Sequence, residues 1–208
     1  MTSQGIYYLI RALVALVAIP FHEAGHALAA WLLGDDTAKR QGRLSLNPFV
    51  HFDLLGTLCM VFAGVGWAKP VSTDPRNFKN PKQGMALTAL AGPVSNFVLA
   101  LLLLLAARLV YLRALATGTL PETLFTFLVN TASLSVGLGL FNLVPVPPLD
   151  GSKVVAVLLP DRAYNWLMRY EQFGMVLLVI IISVGIGSNA LDAAIRWVFD
   201  LFCRIVGF

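Results

Sequence analysis

The sequence predicts an all-α integral membrane protein, and three observations carry that reading. Of its 208 residues, 58% are hydrophobic and 12% are charged. A soluble domain has about 45–50% and about 25%. Mean hydropathy is +0.77. The apolar residues also gather in runs long enough for helices of about 20 residues, the length that crosses a bilayer. These runs use most of the chain, so a single membrane-embedded domain over residues 1–208 is expected, with about four spans of that length.

The first span is expected over residues 6–33. Arg11 ahead of an apolar stretch has the look of a signal peptide, but cleavage there would sever or expose His22-Glu-Ala-Gly-His26. An uncleaved spanning helix is therefore expected. Pro20 predicts a kink, and Gly34-Asp35-Asp36 a stop. Residues 56–67 are apolar, too short to span, and contain Gly56, Gly64 and Gly66. They read as a re-entrant or β-hairpin segment, tolerated at membrane depth only where protein or a water-filled cavity surrounds it.

The second span is expected over 84–112, with Gly92-Pro93, Ser95 and Asn96 ahead of an unbroken apolar stretch from Phe97 to Ala107. A third, over 123–144, stops at Pro145-Val-Pro-Pro-Leu-Asp-Gly151. A short helix over 152–159 follows, and a fourth span over 173–186. In the tail, 188–206, Asp192, Arg196, Asp200 and Arg204 recur every four residues and form one polar stripe. An amphipathic helix lying in the membrane interface is the expectation; a contact between copies, giving a homo-oligomer, is the alternative.

Charge orients the spans. Residues 34–83 hold seven Lys and Arg residues (Lys39, Arg40, Arg43, Lys69, Arg76, Lys79, Lys82), whereas the link between the second and third spans offers Arg108 and Arg113 at its edge. The positive-inside rule puts the former on the cytoplasmic side. The Asp150 loop then falls on that side too, level with the end of the first helix. The expected location is multi-pass in a prokaryotic cell membrane, with the active site toward the cytoplasm. The net charge of +4 reflects this loop bias; no basic run or aromatic-basic interleaving points to nucleic acid. Cys59 and Cys203 form neither a disulfide framework nor a C-x-x-C pair.

Ionisable groups inside a spanning helix are costly and mark functional sites. His22 and His26 lie four apart, hence on one helix face, and could bind one zinc ion with Glu23 beside them as the base. A catalytic zinc takes three protein ligands and leaves a position for water. The candidates for the third are His51, Asp53, Asp150, Asp35 and Asp36. Asp150 is preferred because it stands where a span breaks; its competing role is to cap the helix that follows. His51 and Asp53 could instead orient ligands or substrate from a second layer. Asn96 and Asn142 could equally satisfy backbone groups freed by nearby prolines.

Taken in order, His22-Glu-Ala-Gly-His26, Asn47-Pro-Phe-Val-His51-Phe-Asp53 with Gly56-Thr57, Gly66-Trp-Ala-Lys-Pro70, Ala91-Gly-Pro-Val-Ser-Asn96 and Phe141-Asn-Leu-Val-Pro-Val-Pro-Pro-Leu-Asp-Gly151 resemble the site-2 protease family of intramembrane zinc metalloproteases, peptidase family M50. The similarity is to the short form, without PDZ or CBS domains. It implies one zinc ion per chain held by His22, His26 and Asp150, Glu23 as general base, and Asn142 and Asn96 near the site. It further implies lipid surroundings and a transmembrane protein as substrate. The chemistry would be peptide hydrolysis: Glu23 takes the proton of the attacking water and passes it to the leaving amine, and Asn142 donates to the oxyanion. A substrate helix must unwind first, and Gly64, Val65 and Gly66 are the expected segment to hold it, by strand addition. The alternatives are a catalytically silent scaffold or chaperone, which has no need of Glu23, and a metal transporter, which needs ionisable groups spread across several spans.

Overall fold

The computed structural model describes residues 3–53, 56 and 69–208. The expected re-entrant segment, including Gly64, Val65 and Gly66, falls outside them apart from Gly56. The described elements are helices: α1 (Ser3–Leu32), α2 (Thr37–Arg40), α3 (Pro48–His51), a 3-10 turn (Pro75–Asn77), α4 (Pro81–Thr117), α5 (Glu122–Asn142), α6 (Asp150–Ala156), α7 (Asp161–Val184) and α8 (Ser188–Val206). No β-strand is found among the described residues.

Local sequence sets the ends of α4. The Asn80 side chain accepts from the Gln83 N–H and Pro81 occupies the first turn. That combination satisfies an orphan donor and fixes φ for the first helical residue. At the other end, Gly118 takes φ +73°, and its N–H returns to the Ala114 carbonyl, as a left-handed terminating glycine does. The expected second span is thus longer than its apolar stretch, 37 residues rather than the 84–112 core.

Both α4 and α5 are long and apolar enough to cross a membrane. The 21 residues of α5 measure about 31 Å at 1.5 Å per residue, close to the thickness of a hydrocarbon core. A further span counts only if Asp161–Glu171 and Phe173–Val184, bent by 77°, are one. The expected 173–186 span corresponds to the second arm, Phe173–Val184, of that bent helix.

α1 packs on α4 and α5, α4 on α5, and α6 on α4. The crossings are lined by small buried residues, among them Ala27, Ala30, Ala89, Gly92 and Ala132. Apolar attraction between helices is weak in lipid, so close approach through small residues has to supply the packing. A core cluster of Ala100, Leu104, Ala132 and Val136 joins α4 to α5, and it is covered by Ile195, Val198, Phe199, Phe202 and Val206 of α8.

That last contact defines the surroundings of the tail. Residues 188–206 form an amphipathic helix, and its apolar face docks on α4 and α5. Ile195 packs beside Gly137. The Phe208 ring is 6.1 Å from that of Phe125 and 6.1 Å from that of Tyr111. α8 therefore runs antiparallel to α5 along most of its length. Its inward residues follow the helical period (Ile195, Val198, Phe199, Phe202), so one face docks on the bundle. The four-residue charge repeat reports the outward face, not what the inward one meets.

Candidate metal centre

Two short segments meet at the site. On α1, His22 and His26 present both rings to α4, their centroids 4.6 Å apart and edge to face. Glycines admit them: a Cβ at Gly92 would lie 2.4 Å from His26 ring atoms and 2.8 Å from His22 Cε1. One at Gly25 would lie 2.7 Å from Ser95 Oγ. Ser95 in turn donates toward the Phe21 and Gly92 carbonyls, at 2.9 and 2.7 Å, clipping α1 to α4 beside the motif.

Asp150 arrives from the other side. After α5 the chain folds back through Pro145–Leu149, with Val146 N–H donating to Val144 O and Leu149 N–H to Val146 O. The cap position of α6 belongs to Leu149, and Asp150 is the first helical residue. Its carboxylate is turned to the histidines instead of capping, which departs from the competing expectation. A Cβ at Gly151 would stand 2.1 Å from the Leu143 carbonyl oxygen, so only glycine can follow Asp150 in this turn.

The three candidate ligand atoms form a near-equilateral triangle. His22 Nε2 and His26 Nε2 are 3.0 Å apart; Asp150 Oδ2 is 3.1 Å from the first and 3.2 Å from the second. Tetrahedral zinc at about 2.0–2.1 Å from each ligand would set these edges near 3.3 Å. The outer ring nitrogens are already engaged. His26 Nδ1 donates to the Thr88 carbonyl at 2.7 Å, leaving Nε2 with its lone pair. His22 Nδ1 meets the side-chain amide of buried Asn96 at 3.2 Å. With the amide oxygen turned to the ring, an oxygen that otherwise lacks a partner, His22 Nε2 is likewise left as an acceptor. Asp150 Oδ2 is buried without a hydrogen bond. Three lone-pair atoms facing one another repel; a cation among them turns that repulsion into ligation. The residues fit a metal, and oriented outer nitrogens are what metal-binding histidines require.

These residues line a cavity of about 190 Å³ together with Glu23, Asn142 and Lys153, and with Pro70, Val71 and Thr73 from the segment ahead of α4. Asn142 uses one amide N–H on the Leu138 carbonyl at 3.0 Å. Thus His22, Glu23, His26, Asp150, Asn142 and Asn96 come together as expected. His51 and Asp53 do not line the cavity. The His51 ring is buried on the Ser45 carbonyl at 2.7 Å, and the Asp53 carboxylate accepts the Gly56 N–H at 2.8 Å. Asp36 pairs with Arg40 at 3.1 Å.

Asp35, fully buried, accepts from Thr37, the Asp74 N–H and Asn77. It ties the end of α1 to the segment that carries Thr73 into the cavity. Burial pushes its pKa up, but the hydrogen bonds from Thr37, Asn77 and the Asp74 and Thr37 N–H groups outweigh that and hold it below the usual carboxylate value. Thr88 and Lys153 also went unread in the sequence. The signal for Lys153 was available, since it lies three residues after Asp150 on the same helical face; a backbone acceptor such as Thr88 O leaves none.

Comparisons with known proteins give the chain a family. The family model for peptidase family M50 matches residues 108–184, the part that contains Asp150. A Bacillus subtilis protein named Putative zinc metalloprotease YwhC is 38% identical over 190 residues, covering 88% of this chain and 84% of its own. A Mycobacterium tuberculosis protein named in the same way, Rip2, is 29% identical over 190 residues, covering 89% and 71%. Zinc metalloprotease MJ0392 of Methanocaldococcus jannaschii is 22% identical over 189 residues, covering 89% and 45%. No solved structure gave a significant match. A bilayer-length pair of apolar helices, a ligand triangle suited to zinc and a close relative matched along most of its length lead to one assignment: the chain is a membrane zinc metalloprotease belonging to peptidase family M50, the site-2 protease family.

Proposed function

We propose that this protease cleaves peptide bonds inside the membrane-spanning segments of other proteins, with His22, His26 and Asp150 as the ligands of one zinc ion and Glu23 as the general base. One observation supports this above others. The cluster lies against Thr88, Gly92 and Asn96 of α4, within a helix long and apolar enough to cross the bilayer. Substrate therefore meets the site from the lipid. In this reading α1, α4 and α5 all cross the membrane, and the lysine- and arginine-rich residues 34–83 face the cytoplasm.

Zinc bound at the triangle would supply Lewis acidity to the water and to the scissile carbonyl. Everything else falls to the chain. Glu23, next to His22 and lining the same cavity, takes the proton of the attacking water and delivers it to the departing amine. Asn142 has one amide N–H on Leu138 and a second left to donate to the oxyanion. Thr88 and Asn96 hold the two rings with their Nε2 atoms inward. The substrate helix has to release its carbonyls from backbone hydrogen bonds before hydrolysis, and residues 56–67, through Gly64, Val65 and Gly66, receive the unwound stretch as an added strand.

The test is cleavage of a single-span substrate by purified enzyme in lipid, with zinc content measured in parallel. Wild type cleaves and holds one zinc. Glu23→Gln holds zinc and loses at least about 100-fold in rate, the scale of a general base. Asp150→Ala loses zinc and activity together. Equal cleavage by Glu23→Gln, or full zinc in Asp150→Ala, would contradict the reading.

A further inference from the structure

The outward face of α8 carries a charge pattern that its position does not explain. Asp192, Arg196, Asp200 and Arg204 are all exposed. None of the four forms an ion pair or a side-chain hydrogen bond with any described residue. The helix that carries them lies along α5 from Gly137 to Phe125, within the 21-residue length of that helix. If α5 crosses the bilayer, as the proposed function holds, the stripe sits at hydrocarbon depth. Ionised side chains there face protein or water rather than lipid. Beside the charges runs a second exposed row, Trp197 (67% exposed), Leu201 (39%) and Ile205 (64%), with exposed Ala193 at its start.

We infer that this face is the contact between two copies of the chain. The argument for a second copy is complementarity. Acid, base, acid and base alternate at a spacing of four residues, about 6 Å along a helix axis. In a two-fold pair with its axis along the membrane normal, the two α8 helices run parallel and equal residues lie at equal depth. Asp192 of each copy then meets Arg196 of the other one turn away, and Asp200 meets Arg204, each pair formed twice. Arginine has the reach to span one turn. The rows of Trp197, Leu201 and Ile205 pack across the same axis, and Ala193 permits close approach at one end. The face is thus complementary to itself. The docked face of α8, Ile195 to Val206, is already used on α4 and α5, so pairing leaves the bundle and the metal centre undisturbed.

Two charge-reversed chains test this in the full-length protein, reconstituted in liposomes at low protein density and read by energy transfer between labelled copies. Asp192→Arg with Asp200→Arg makes the stripe wholly basic. Arg196→Asp with Arg204→Asp makes it wholly acidic. Wild type is expected to pair, each reversed chain alone to lose most of the transfer, and a one-to-one mixture of the two to recover it. Recovery also shows that both fold, since misfolded chains would not complement each other. Monomeric wild type, or reversed chains that pair as well as wild type, would overturn the inference. Trp197→Cys, in a chain with Cys59 and Cys203 replaced by Ala, separates this from failure of the membrane reading. Protection from a water-soluble maleimide is expected. Rapid labelling would mean that α8 stands in water, which removes the premise that α5 places it at bilayer depth. Protection combined with a monomeric wild type would leave the spans intact and overturn only the pairing.

Discussion

A methyl group at Gly92 would stand 2.4 Å from the His26 ring, and Asn96, one helical turn further on, touches His22 at 3.2 Å. The two residues divide the work of seating the histidines: one makes room, the other aims. Removing the amide by Asn96→Ala should leave the fold intact and weaken zinc binding roughly 10–100-fold, the range for a residue that orients a metal ligand. Titration against a competing chelator measures this, and unchanged affinity would remove Asn96 from the site. The site was legible in the sequence where its residues carry rare chemistry. Histidine and carboxylate inside apolar runs leave little else to mean, so His22, Glu23, His26 and Asp150 could be read. His51 is buried too, but its ring meets the Ser45 carbonyl and it lies outside the lining of the cavity. Sequence marks that a polar group needs a partner and does not say which one it finds.

At the scale of elements, a buried carboxylate clasps the segment between α1 and α4 to the end of α1. Asp35 links the end of α1 to Asp74 and Asn77, and Asp74 is itself held down to about 2 by hydrogen bonds from Arg76. Because the Asp35 pKa is lowered on folding, its contribution is complete above the unfolded carboxylate value of about 3.9 and is lost as pH falls through the lower folded value. Asp35→Asn should therefore cost about 1–3 kcal/mol near neutrality, the scale of an uncompensated buried partner. The gap in thermal stability from wild type should shrink on acidification below about pH 4. A gap independent of pH would show that the charge of Asp35 is not what stabilises the clasp. The neighbouring segment yields another prediction. Proline at Gly64 or Val65 removes a backbone N–H needed for strand addition, so cleavage should fall while zinc content holds; unaffected cleavage would sink the strand role.

The second span was legible as an apolar stretch over 84–112, while its ends at Pro81 and Thr117 are set by the Asn80-Pro81 cap and Gly118, which the hydropathy pattern does not register. The tail was not, because its sequence records a charged outer face and an apolar inner one without recording depth. The contacts of Ile195, Phe202 and Phe208 show what the inner face meets, α4 and α5. Similarly, the spacing of apolar runs gave the order of the bundle, while the bend within α7 had no proline or charge cluster to announce it.

For the molecule as a whole, the proposed function gives each part of the fold a task. Two apolar helices form the frame; in that reading α1 supplies the base and two ligands, and the turn after α5 supplies the third from more than a hundred residues away in sequence. The cavity beside the cluster is shared by Glu23, Asn142 and Lys153. The most direct test is the position of the cut. A single-span substrate is incubated with enzyme in lipid, and the products are mapped by mass spectrometry. The account predicts a scissile bond within the apolar segment, in its cytoplasmic half, absent with Glu23→Gln. Cuts confined to the water-exposed flanks, or cuts that persist in Glu23→Gln, would contradict it.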